Sequence, residues 1–84
     1  MSKPRKINGH NAIGEAVEKS LDEYFFHLDG EPADDIYRMV MDNVEKTLFA
    51  NVMQRAEGNQ RLAADMLGIN RTTLRNKLKA YRLM

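Results

Sequence analysis

A chain of 84 residues has room for one domain, and a core of that size is marginal unless another subunit helps to bury it. There is no cysteine, which excludes disulfide staples, thiolate metal sites and a thiol nucleophile, and no apolar run reaches the roughly 18–20 residues of a membrane span. The net charge of +1 hides an asymmetry: residues 58–84 carry Arg61, Arg71, Arg75, Lys77, Lys79 and Arg82 against the single acid Asp65, a balance of +5, while residues 1–57 hold seven basic and eleven acidic residues, a balance of −4. A basic end on an acidic body points to a polyanion as partner.

Residues 1–11 contain Lys3, Pro4, Arg5, Lys6, Asn8, Gly9 and Asn11 with Ile7 as the one large aliphatic, too little apolar surface to offset the entropy of ordering. They read as a flexible basic tail, without the apolar stretch of a signal peptide. A cytoplasmic protein with no membrane partner is therefore expected. From Ile13 onward Val17, Leu21, Tyr24, Phe25 and Leu28 recur at spacings of three and four, predicting a first helix over 12–28 that Asp29 and Gly30 stop. Pro32 followed by Asp34 and Asp35 reads as a helix start, because a proline needs no donor in the first turn and acids suit the positive end of the helix dipole. A second helix is predicted over 33–56. Its band Ile36, Met39, Val40, Val44, Leu48 and Val52, widened by Tyr37, Met41, Phe49 and Met53, covers more circumference than so short a chain can bury. The surplus predicts a homodimer with Ile36, Val40, Val44, Leu48 and Val52 in its core.

Gly58 ends the second helix and Asn59 can cap a third over 60–67; Gly68 closes that one and Asn70 can cap a fourth over 71–81. In the fourth helix Leu74, Leu78 and Tyr81 form the inward stripe. No segment alternates with period two and no repeat occurs, so the fold is predicted to be all-α, with a single domain over 12–84: residues 12–57 for dimerisation, residues 58–84 for a helix-turn-helix. Ala63 and Ala64 let two helices approach, Leu67 and Ile69 fill the angle, and Gly68 supplies the turn. The outward set on the last helix is Arg71, Thr72, Thr73, Arg75, Asn76, Lys77 and Lys79. Arg71 and Arg75 carry forks that match guanine O6 and N7, and Asn76 could bond an adenine edge. Thr73, Lys77 and Lys79 suit phosphate oxygens, and Asn59 and Asn70 stand at helix starts whose free amides also attract phosphate.

An enzyme finds little support in the sequence. His10 and His27 belong to no metal-ligand pattern, Asp34 and Asp35 read as helix-start charges, and there is no glycine-rich phosphate loop or nucleophile triad. No cofactor and no metal is expected. A helical module that binds only other proteins, using the wide apolar face of the second helix, remains as a second reading.

The stretch Gly58-Asn59-Gln60, then Ala63-Ala64 and Leu67-Gly68-Ile69-Asn70-Arg71, Thr73-Leu74-Arg75, Lys77-Leu78-Lys79 and Tyr81 resembles the C-terminal signature of the bacterial Fis (factor for inversion stimulation) family. That end alone also resembles the DNA-binding domain of NtrC-type activators. Upstream, Leu21, Tyr24-Phe25, Leu28-Asp29-Gly30, Asp35-Ile36-Tyr37, Val44-Glu45 and Val52-Met53-Gln54 are similar to Fis as well, so the resemblance covers residues 13–81.

The resemblance implies a DNA-bending, nucleoid-associated transcription regulator. It would be a homodimer whose first two helices per subunit intertwine as a core and present two helix-turn-helix units to double-stranded DNA. It implies base contacts for Asn70, Arg71 and Arg75, and phosphate contacts for Asn59, Thr73, Lys77 and Lys79; Gln60, Arg61, Thr72 and Asn76 join the phosphate set as polar neighbours on the same surface. Thr47 stands where the family's long helix carries a proline, and Asn76 and Ala80 stand where lysines are common. RNA polymerase is a partner of the family, but Glu57 replaces a basic residue that helps that contact. Only about a dozen residues precede the first helix, so contact with a recombinase is not expected.

Overall fold

The computed structural model describes residues 4–84, with side chains from residue 12 onward. Four helices succeed one another: α1 (Pro4–Leu28), α2 (Ile36–Arg55), α3 (Gln60–Leu67) and α4 (Arg71–Ala80), with no strand among the described residues. The expected all-α architecture is thus observed. The chain divides into two compact units, the first reaching Ile36 and the second running Tyr37–Met84.

In the first unit, helical backbone begins at Pro4, well before residue 12, where a flexible tail was expected; proline is well suited to a first helical position because its missing donor would have no partner there. Residues 1–3 of that tail lie outside the described residues. Val17, Leu21, Tyr24 and Leu28 form a half-buried stripe, while Ile13 and Phe25 are exposed and Phe26, on the opposite side, is 78 % exposed. After α1, Asp29 (φ 52°) and Gly30 (φ 87°) are both left-handed and the Glu31 amide donates to the Leu28 carbonyl at 3.1 Å, a tight turn that ends the helix.

The second helix starts three residues later than the proline and acids suggested. The Tyr24 hydroxyl accepts from the Asp34 amide and donates to the Asp34 carbonyl, both at 3.4 Å, and Asp35 takes a left-handed φ of 61°. With Asp34 held by a side chain ten residues back and Asp35 outside helical space, the first residue free to enter the helix is Ile36.

The second unit explains why α2 is apolar on so much of its surface. At roughly 100° per residue, Glu45, Phe49, Val52 and Ala56 share one face. Phe49 and Ala56 are buried there with Ala63, Ala64, Leu74 and Leu78, and Val52, Met53, Leu67, Ile69, Tyr81 and Leu83 pack around them. Tyr37, Met41, Val44 and Leu48 share a second face about a quarter-turn away. On it Tyr37 is 79 % exposed and Leu48 44 % exposed. The expected dimer row is therefore divided: Val52 lies against this chain's own core, Ile36 and Val40 are half-buried, and Val44 and Leu48 stand open.

Candidate nucleic-acid interface

The turn before α3 repeats the device after α1. Glu57 (φ 54°) and Gly58 (φ 82°) are left-handed, the Asn59 amide donates to the Ala56 carbonyl at 3.0 Å, and the Gly58 amide reaches Met53 at 3.0 Å. Asn59 then caps α3, its Oδ1 accepting from the Leu62 amide at 3.1 Å. At the other end Gly68 (φ 73°) donates to the carbonyls of Ala64 and Asp65, and Ile69 donates back to Ala64 at 3.1 Å, closing the last turn as a left-handed cap does. Asn70 follows in extended conformation and its Oδ1 accepts from the amides of Thr72 (2.7 Å) and Thr73 (3.4 Å) to start α4. Both asparagines are thus working caps.

Ala63, Leu74 and Leu78 have no solvent exposure at all, so the α3–α4 junction is set by side chains that leave no slack. Burying that stripe fixes which residues face out. Arg71, Thr72, Thr73, Arg75, Asn76 and Lys79 are all exposed, as is Arg61 on α3, while Gln60 is half-buried. An open cleft between the N-terminal halves of α3 and α4 is lined by Gln60, Arg61, Arg71, Thr72 and Arg75, and a second beside it by Arg61, Asp65, Ile69 and Arg71 among others. Five expected contact residues are therefore brought together around one concavity. Among the described residues the single ion pair is Lys77–Glu45, so the charges of Arg61, Arg71, Arg75 and Lys79 are not engaged with any carboxylate.

Lys77 departs from this set. Its ammonium lies 2.9 Å from Glu45 Oε1, and the Tyr81 hydroxyl donates to the same oxygen at 2.6 Å, with Asp42 Oδ1 3.4 Å from that hydroxyl. The Tyr81 hydroxyl, followed by Lys77, holds the Glu45 carboxyl below its ordinary value, and the same carboxylate pushes the Tyr81 phenol up. The Tyr81 and Phe49 rings lie 6.4 Å apart, extending the contact from α4 to α2. Asp42 did not stand out in the sequence, and Glu45 stood out only within the Val44-Glu45 match, with no role attached. Its signal was an acid in the otherwise apolar row 45, 49, 52, 56, which forecasts a polar partner on whatever packs there.

A tightly turned pair of short helices, with capped starts and an unpaired basic rim, defines a helix-turn-helix protein. The model of the Fis family of bacterial regulatory proteins matches residues 40–81. A protein of Pseudomonas aeruginosa named as Fis-like and DNA-binding is 50 % identical over 72 residues, 86 % of this chain and 69 % of that protein. The DNA-binding protein Fis of Actinobacillus succinogenes is 52 % identical over 69 residues, 82 % of this chain and 70 % of that one. The chain belongs to the Fis family of bacterial regulatory proteins. No helix of the described residues is long and apolar enough to cross a membrane, and no group of three or more histidines, aspartates or glutamates among them could hold a metal ion.

Proposed function

We propose that the protein is a homodimeric DNA-binding regulator that bends double-stranded DNA at degenerate sites. The observation that carries the reading is the cluster of unpaired guanidinium groups, Arg61, Arg71 and Arg75, around the cleft at the starts of α3 and α4. A guanidinium fork matches phosphate bidentately and also matches the guanine edge, and a helix of this kind fits the major groove. Arg71 and Arg75 read bases. Asn70 commits its Oδ1 to the helix cap, so it meets a base through its amide group alone. Asn59, Gln60, Arg61, Thr72, Thr73, Asn76 and Lys79 meet phosphates. The relatives' printed names favour the same partner.

The open face of α2, with Tyr37, Val44 and Leu48 exposed and Met41 half-buried, supports the dimer: large apolar side chains in a helical row are seldom left uncovered in a stable small protein. A dimer presents two basic rims to one duplex, and a duplex that meets both by bending selects for deformability more than for a strict sequence. On that reading the protein resides on the bacterial chromosome.

The test is fluorescence anisotropy of a short labelled duplex titrated with protein over a salt series. Each neutralised phosphate should contribute about −0.9 to the slope of log K against log salt. Arg71→Ala should weaken binding at a preferred site by about 1–3 kcal/mol and narrow the gap between preferred and random duplexes. Binding that is absent or insensitive to salt would refute the DNA reading and leave the open face of α2 as a site for protein partners.

A further inference from the structure

We propose that Glu45 withholds the charge of Lys77 from DNA, so that Lys77 serves to position α4 on α2 and is not a phosphate contact. The inference rests on the DNA-binding reading above, and it reverses the role that the family resemblance implies for this one lysine.

Geometry separates Lys77 from the basic rim. At roughly 100° per residue it projects about 40° from Tyr81 and about 60° from Leu74 but about 160° from Arg75; the exposed Thr73 shares its direction one turn earlier, so it is the C-terminal part of that side that packs. Lys79 projects about 40° from Arg75 and is exposed. The burial pattern agrees, since Lys77 is half-buried between two elements whereas Arg71, Thr72, Arg75 and Lys79 are open. Its side chain retains 40 % exposure, so it could turn outward if released.

Charge points the same way. The ammonium is 2.9 Å from Glu45 Oε1, and Asp42 stands behind the same cluster through the Tyr81 hydroxyl. Across these groups the one positive charge is matched by Glu45 and exceeded once Asp42 is counted. A phosphate approaching from the groove side meets no net attraction there, and Debye screening over about 8–10 Å removes what remains at a distance. Leaving Glu45 would strip the carboxylate of a charge-assisted bond while Tyr81 continues to hold its other partner in place. What the cluster does supply is a fixed link: one oxygen on α2 receives bonds from Lys77 of α4 and from Tyr81, which caps that helix one turn later.

The deciding experiment measures the salt slope of duplex binding for full-length wild type and for Lys77→Gln, Lys79→Gln, Glu45→Gln and the Glu45→Gln/Lys77→Gln pair, with far-UV circular dichroism as the check on folding. Lys79→Gln should flatten the slope by about 0.9 for each subunit engaged. Lys77→Gln should leave it unchanged. Glu45→Gln should steepen it, by up to the same increment, because the released ammonium becomes available, and the paired variant should return to the wild-type slope. A purely structural Lys77–Glu45 link would move stability without this pattern of slopes. Flattening by Lys77→Gln equal to that by Lys79→Gln overturns the proposal, as does a Glu45→Gln slope indistinguishable from wild type. Should Glu45→Gln fail to fold, the comparison of Lys77→Gln with Lys79→Gln decides alone. Failure of wild type itself to bind in a salt-dependent way refutes the DNA reading and is a different result from either of these.

Discussion

Leu48 offers the sharpest test of the second subunit, because Leu62 provides a matched control. Leu48 on α2 and Leu62 on α3 are 44 % and 45 % exposed in the single chain, so a monomer should feel their truncation equally. Full burial of a leucine is worth about 1.5–3 kcal/mol, so losing the partly buried side chain should cost roughly 1 kcal/mol, less a few tenths for alanine's better helix propensity. If a second copy covers the face containing Tyr37, Met41, Val44 and Leu48, Leu48→Ala leaves a cavity in each subunit. The expected loss rises to about 2–5 kcal/mol per chain, the range expected for the fully buried Leu78→Ala, and is counted twice per dimer. Urea unfolding followed by circular dichroism at two protein concentrations 100-fold apart supplies the readout. Coupled folding and dimerisation should stabilise the more concentrated sample by about 2.7 kcal/mol per dimer, the free-energy equivalent of a 100-fold concentration ratio. Equal losses for Leu48→Ala and Leu62→Ala, with midpoints independent of concentration, would refute the dimer.

Three further outcomes are expected. Asn70→Ala removes the acceptor for the amides of Thr72 and Thr73 and should cost about 1 kcal/mol, seen as a melting temperature lower by about 4–8 °C; an unchanged melt would mean the cap is dispensable. Glu57→Asn should raise the melting temperature by a few degrees, since glutamate at φ 54° sits in left-handed space that asparagine tolerates better, whereas Asp29→Asn at φ 52° should change little. Glu45 is held below its ordinary value, 4.5, so its contribution to stability is present above about that pH and lost as the pH falls through the lowered value. The stability gap between wild type and Glu45→Gln should therefore close in acid, and a gap constant between about pH 3 and pH 7 would show that the carboxylate charge is not what holds α4 to α2.

What could be read from the sequence was what is decided within one turn of chain. Asn59, Gly68 and Asn70 announce caps and turns because a side-chain oxygen or a missing Cβ acts on amides two to four residues away, and each one does so in the structure. The stripe Leu74, Leu78 and Tyr81 was equally legible, since helical period alone selects the buried face. The start of α2 was not, because Pro32 and its acids are overruled by Tyr24, whose hydroxyl grips Asp34 from ten residues away. The ion pair of Lys77 was hidden in the same manner. A lysine on a basic helix suits phosphate, but a carboxylate 32 residues earlier, invisible to any local pattern, lies 2.9 Å from its ammonium. The two faces of α2 merged in the sequence into one broad apolar band; only the packing of Phe49 and Ala56 against α3 and α4 separates the face already used from the face still open.

That separation bears on how DNA would be handled. The face of α2 that meets α4 carries Glu45, Phe49 and Ala56, and the open face carries Val44 and Leu48, interleaved along the same turns of one helix. A dimer formed on the open face would therefore join two α4 helices through only two α2 helices and two Glu45–Lys77–Tyr81 links, with no flexible segment in the path. Close-packed junctions such as the one around Ala63, Leu74 and Leu78 resist continuous adjustment. The spacing of the two basic rims would then be fixed by the protein, and any mismatch with the helical repeat of the duplex would fall on the DNA, at a bending cost of order 1–6 kcal/mol that varies with sequence. Loosening the link with Glu45→Gln should shift part of that adjustment back to the protein, so this variant should discriminate less between flexible and stiff duplexes of the same contacted bases.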